Sequence, residues 1–373
     1  MSYRGSDPRF GRAPVRASSR VTTRPTFRAP IRQDTTRPLG PGAPVNIGRW
    51  LLVGSLVFGG LLVLALGASR MNGPADAATT TEDPSAAAAR LAARPARELL
   101  APRGPAPRLD AGSAGSIPNL SARAFVLVDE TSGAILAESN GTRRLPPASV
   151  TKIATAILLL ELGHLDDTVT VDADFSSLDP DSTSMGLRAG DRYTLRDLLY
   201  GLMLRSGNDA AVAIARAVSG DEPRFVNTMN ALAARLELPD THFTDPHGLG
   251  GAQHYTSARD LASLARYGFT LPGFAEVVRA TNWDTSGTQH IELWNSNVFL
   301  YNYDGADGVK IGYTEAADRT LVASATRDGH RLIAVVLGDS YASTHARNLL
   351  DWGWASACWP NASGGCDRVK PVD

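Results

Sequence analysis

Lysine is missing from the first 49 residues, which carry ten arginines against Asp7 and Asp34. A proline- and arginine-rich stretch of this kind cannot bury enough apolar surface to offset the entropy of ordering it, so residues 1–49 are expected to be disordered. Charge is missing from Trp50–Ala68, WLLVGSLVFGGLLVLALGA. At about 1.5 Å per residue this run spans close to the ~30 Å of a bilayer core, which predicts a membrane helix over residues 50–68. Ten arginines precede it and Arg70 alone closely follows it, so the positive-inside rule puts the N-terminus in the cytoplasm and everything beyond Ser69 outside. A cleaved signal peptide is the rival reading, opposed by an n-region and an apolar run that are both longer than usual. Membrane orientation accounts for the arginines, and no nucleic-acid partner is expected.

Other absences narrow the chemistry. Met71–Ser116 is rich in Ala, Pro, Arg and Gly with scarcely an aromatic, so residues 69–116 read as an extracytoplasmic linker. There is no G-x-S-x-G elbow and no internal repeat. The seven histidines have no metal-ligand spacing: His247 and His254 share a loop with Asp245, but no third ligand follows, and neither a metal nor a cofactor is expected. Cys358 and Cys366 are the only cysteines. They close a short glycine-containing loop outside the cytoplasm, where a disulfide between them is expected.

The chain as a whole has an ordinary globular composition, 43% hydrophobic and 20% charged. Ala122–Val128 and Ala134–Glu138 read as one hairpin, and Thr320–Thr326 and Arg331–Leu337 as another, turned by Asp328-Gly329. Helices are expected from Thr194 to Ser206, over Ala210–Val218, Glu222–Leu238 and Thr256–Tyr267, and from Ser343 to Ala357.

The chain is organised around Pro146–Gly163, PPASVTKIATAILLLELG, an apolar helix closed by Gly163. Ser149 and Lys152 stand three residues apart at its head, on one face, so an amine can reach a hydroxyl proton. The bland alternative is a serine N-cap followed by a lysine that snorkels to solvent. Two further motifs bear on the choice. Ser206-Gly207-Asn208-Asp209 puts a hydroxyl and an amide between two apolar helices, where simple capping is the competing explanation. Gly308-Val309-Lys310-Ile311-Gly312-Tyr313-Thr314 reads as a strand whose glycines let a ligand approach closely.

In this order the three motifs resemble the serine D-alanyl-D-alanine carboxypeptidases, the low-molecular-weight penicillin-binding proteins, with their S-x-x-K, serine-containing middle motif and K-T-G. LPPASVTKIATAILLLE, LMLRSGNDAAVAIA, THFTDPHGL, HYTSARDLASLAR, GADGVKIGYT and LVASATRDGHRLIAVVLG all look like this family, over roughly Ile117 to Trp352. The resemblance implies an α+β fold of the β-lactamase/transpeptidase type, an antiparallel sheet flanked by helices with an inserted helical lobe. It places a catalytic domain at residues 117–357 and leaves residues 358–373 as a tail. It further implies that Ser149 attacks the D-Ala-D-Ala carbonyl, that Lys152 is its base, and that Ser206 relays protons. Asn208 would bind the substrate peptide, and Lys310 its terminal carboxylate. The N–H groups of Ser149 and Tyr313 would form the oxyanion hole beside Gly312. The implied partners are peptidoglycan stem peptides, with β-lactams as inhibitors.

A lysine base near neutral pH must lose about three units from its ordinary ~10.4, roughly 4 kcal/mol. Burial and a second cation, Lys310, both act in that direction. Two departures stand out. Ile311 occupies the family's threonine position, so a hydroxyl expected to meet the substrate carboxylate is missing. Asp339–Arg347 offers no match to the arginine that many members place beside it. A weakened or inactive peptidoglycan-binding homologue, or a β-lactamase, therefore stands as the alternative.

Overall fold

The computed structural model describes residues 95–110 and 115–369, apart from residues 173, 176, 177, 180 and 181. The chain divides into two units, Met1–Asp76 and Ala77–Asp373, and all described residues belong to the second. The expected disordered arm at 1–49 and membrane run at 50–68 lie outside the described residues. Among the described residues no helix is long and apolar enough to cross a membrane.

Five antiparallel strands form the main sheet: β1 (Ala124–Asp129), β2 (Ile135–Ser139), β3 (Ala306–Thr314), β4 (Asp318–Arg327) and β5 (His330–Leu337), in the order β2-β1-β5-β4-β3. The hairpin β1–β2 comes from the start of the domain and β3–β4–β5 from its end. Between them in sequence lie the helices α1 (Lys152–Leu162), α2 (Leu195–Leu204), α3 (Asn208–Ser219), α4 (Glu222–Arg235) and α5 (Ala258–Gly268), and α6 (Ala342–Ser356) follows the last strand.

Period-two alternation assigns the strands to two cores. Val126, Val128, Val322, Ile333 and Val335 face the helical lobe. Phe125, Leu127, Leu321, Ala323, Leu332 and Ala334 face α6 through Leu349, Leu350 and Trp354. Both faces of the central strands are covered, which is why β1 reads as a continuous apolar run in place of an alternating one. Helix α1 is buried along Lys152–Leu159 and is the axis of the lobe. Helix α2 starts at a capping box between Thr194 and Asp197, and α5 at a Ser257 cap on the Asp260 N–H.

Two expected boundaries are corrected. Residues 95–110 fall inside the segment read as linker, yet Ala96 and Leu99 are buried. Arg103 pairs with Glu130, Arg266 donates to the Leu100 carbonyl, and Arg108–Leu109 adds as a strand to Ala357–Cys358. Local composition is that of a linker, but Leu99 and Leu100 supply the apolar surface that docks. The tail likewise belongs to the domain. Ala357–Pro360 runs on as a strand across the expected boundary, and buried Trp359 donates its indole N–H to Asp129. Cys358 and Cys366 are joined with their Cα atoms 5.5 Å apart.

Candidate active site

Ser149 is not the N-cap of α1. It sits in a single 3-10 turn, Ala148–Thr151, that feeds into the helix at Lys152, with no side-chain cap at either start. The turn is wedged between β3 and the loop 245–249. A Cβ on Gly312 would stand 2.8 Å from the Ser149 backbone N and 2.5 Å from Thr320 Oγ1. Thr320 in turn donates to the Pro147 carbonyl, at 2.9 Å. The glycine read from sequence as leaving room for a ligand is thus required by the serine turn itself.

Lys152 is completely buried. Its Nζ lies 3.0 Å from Ser149 Oγ, 2.7 Å from Asn208 Oδ1 and 2.8 Å from the His247 carbonyl oxygen. Desolvation and then the charge of Lys310 hold its pKa well below the ordinary lysine value, against the opposing pull of Asp245 and Asp209. A neutral amine has two hydrogens and one lone pair. The amide and peptide oxygens can only accept, so they take both hydrogens, and the lone pair is left for Ser149 Oγ, the one neighbour with a proton to give. The arrangement can therefore deprotonate a serine.

Lys310, on β3, is equally buried, and burial holds its pKa at about 7. Its Nζ donates to the carbonyl of Ile311. Ser206 lines the same cavity in a left-handed backbone conformation, φ 59°, and its Oγ makes no hydrogen bond to Ser149 or Lys152. The cavity, about 460 Å³, is also lined by Asn208, Ile311, Gly312 and Tyr313. Ser149, Lys152, Ser206, Asn208 and the 310–313 strand segment are thus brought to one place.

Sequence reasoning missed four residues of this site. Asp209, read only as a possible cap, is buried and accepts the N–H groups of Met185, Gly186 and Leu187 and the Ser184 hydroxyl. It ties the loop carrying Thr183 to the start of α3, where Thr183 Oγ1 donates to the Ser206 carbonyl and its own carbonyl accepts from Asn208 N–H. Asp245 accepts the N–H groups of His247 and Gly248 and so aims the His247 carbonyl at Lys152. Burial would raise its pKa, but the His247 hydrogen bond and charge win and hold it below the carboxylate range. Buried His254 is held at about 4, largely by desolvation, and meets Thr151 Oγ1 at 2.9 Å. Arg319 is the fourth and lines the cavity. Only the D-P-H-G string around Asp245 offered a signal, as a turn.

Residues 111–341, well over half of the chain, match the family model described as D-alanyl-D-alanine carboxypeptidase. The chain belongs to the D-alanyl-D-alanine carboxypeptidase family. Its similarity to the carboxypeptidase DacD of Salmonella typhimurium is 37% identity over 255 residues, covering 63% of this chain and 63% of that protein. DacB2 of Mycobacterium tuberculosis is 36% identical over 260 residues, covering 66% of this chain and 87% of that protein. Among solved structures, penicillin binding protein 6B from Escherichia coli is similar with a TM-score of 0.60 and 37% identity, covering 64% of this chain and 79% of that one. The chain spans less than two thirds of the length of the Salmonella relative. The carboxypeptidase family fold, an antiparallel sheet flanked by helices with an inserted helical lobe, is the one the sequence led us to expect.

Proposed function

We propose that this chain is a serine D-Ala-D-Ala carboxypeptidase that removes the terminal D-alanine of peptidoglycan stem peptides. The observation that carries the reading is the 3.0 Å contact between Nζ of buried Lys152 and Ser149 Oγ.

The reaction starts at that contact. Ser149 Oγ gives its proton to Lys152 Nζ and bonds to the carbonyl carbon of the penultimate D-alanine. The N–H groups of Ser149 and Tyr313 receive the oxyanion, worth about 3 kcal/mol or more per donor where such sites have been dissected. The proton passes from Lys152 by way of Ser206 to the leaving amine, the C–N bond breaks, and D-alanine departs. Water then adds to the acyl-enzyme, its proton returning through Lys152, and the shortened peptide leaves with Ser149 restored. Asn208 holds both Lys152 and the substrate amide, and Lys310 presents positive charge to the substrate.

A β-lactam carries the same acyl-donor chemistry in a strained ring. Incubating the full chain with benzylpenicillin should add one intact penicillin mass to the peptide containing Ser149, and none in Ser149→Ala. Absence of the adduct from a folded protein would remove the reading, and rapid multiple turnover of the drug would move it to a β-lactamase.

The reading extends to location. Trp50–Ala68 would anchor the chain with the arginine-rich arm inside and the catalytic domain outside, facing the peptidoglycan. Retention in membranes after an alkaline carbonate wash, lost on deletion of residues 1–68, is expected. Release of the intact chain by the wash would contradict the anchor.

A further inference from the structure

Ile311 removes a hydroxyl from the place where the terminal carboxylate of a peptide substrate would be met, yet the cavity does not lack a cation. Among the described residues that line it, Arg319 carries the only charge. It lies on β4 opposite Tyr313, while Ile311 lies opposite Leu321. Directly paired residues of an antiparallel ladder share a face, and so do residues two apart along a strand. Ile311, Tyr313, Leu321 and Arg319 therefore form one patch, and all four line the cavity. Arg319 and Ile311 are diagonal neighbours in it, a separation of about 7–8 Å that a long side chain spans.

The guanidinium is also uncommitted. It makes no hydrogen bond or ion pair with any described residue, and its one close partner is the Tyr313 ring, whose centroid is 6.0 Å from Cζ. Both side chains are exposed. Stacking over an aromatic face leaves the N–H fork free at its edge, the geometry that receives a carboxylate through two parallel hydrogen bonds. The first residues of α6, Ala342 and Ser343, line the same cavity, so the positive end of a fifteen-residue helix adds to the field there.

We propose that Arg319 binds the terminal carboxylate of the peptide, in place of the hydroxyl that Ile311 lacks. It is a specificity-determining residue that acts on the substrate end remote from the bond broken. The inference rests on the carboxypeptidase reading, and its test is made where no turnover takes place.

The test uses the detergent-solubilised full chain carrying Ser149→Ala and an N-acylated peptide ending in Lys-D-Ala-D-Ala, as the free acid or as the C-terminal carboxamide, with binding followed by calorimetry. The protein should prefer the acid. Adding Arg319→Gln should weaken the acid about ten- to a hundredfold and leave the carboxamide unchanged, so that the preference disappears. Arg319→Lys should keep part of it, since charge survives but the fork does not. Equal weakening of both peptides, unchanged binding of the acid, or no preference for the acid before Arg319 is changed would each overturn the proposal. D-alanine release by the enzyme with Ser149 intact is read separately, so failure of this site and failure of the carboxypeptidase reading are told apart.

Discussion

Lys310 lowers the pKa of Lys152: two buried lysines, one on the sheet edge and one at the head of α1, converge on one site, and after burial the charge of the first is the largest influence on the second. Like charges at low dielectric disfavour one another, so the proton of Lys152 is easier to lose.

This fixes the sign of the pH dependence. A base works unprotonated, so kcat/KM for D-alanine release should fall as pH drops through the lowered Lys152 pKa. In Lys310→Met the neighbouring cation is gone and that pKa rises, so the acid limb should move to higher pH while the plateau also drops. Burial remains the larger cause, so the limb should still lie well below the ordinary lysine value. A pH–rate profile of both proteins checks it, and an unmoved limb would show that the two lysines do not interact.

Gly312 has no room for a side chain. In Gly312→Ala the new Cβ would press on the Ser149 backbone N, displacing the nucleophile by a fraction of an ångström or more. Misplacement on that scale costs on the order of 10²-fold in rate. Penicillin acylation should slow by about that factor in a protein that still melts cooperatively. An unchanged acylation rate would mean that the close approach is not needed.

Asp209→Asn keeps the size of the side chain but turns one acceptor into a donor facing backbone N–H groups. Hydrogen bonds to a charged group contribute about 1.5–3 kcal/mol each, so the loop bearing Thr183 should detach before the domain unfolds. Limited proteolysis should cut near residues 183–187 much faster than in the parent protein. Equal cutting rates would show that Asp209 does not hold the loop.

Ile311→Thr returns a hydroxyl to the cavity wall. It should raise kcat/KM on carboxylate-ended D-Ala-D-Ala peptides by about tenfold, the low end for a hydrogen bond to a charged group, because Arg319 already meets the same carboxylate. No rise would show that the missing hydroxyl does not limit the enzyme.

How much of this could be read in advance depended on how far apart in sequence the partners lie. Ser149 and Lys152 are three residues apart, and Ser206 with Asn208 and Lys310 with Gly312 are equally local, so their motifs could be picked out by spacing and given roles by the family resemblance. Asp209 binds residues more than twenty positions upstream, in a stretch with no periodicity, and nothing local distinguished it from a cap. Arg319 reaches the cavity only because β4 pairs with β3 in a particular register, which the turn between them sets. The sheet hairpins were legible from short apolar runs broken by turn residues, and the lobe helices from periodicity and capping residues. The docking of residues 95–110 was not, because an alanine- and proline-rich segment has the composition of a linker whether or not Leu99 and Leu100 find a surface.

The central claim is that Ser149, with Lys152 as its base, hydrolyses the bond before a terminal D-alanine. The direct measurement is D-alanine released from a stem pentapeptide ending in D-Ala-D-Ala by the full chain, beside Ser149→Ala. Release that continues over many turnovers and vanishes in Ser149→Ala is the predicted result. No release from the folded parent protein, or equal release from both, would contradict it.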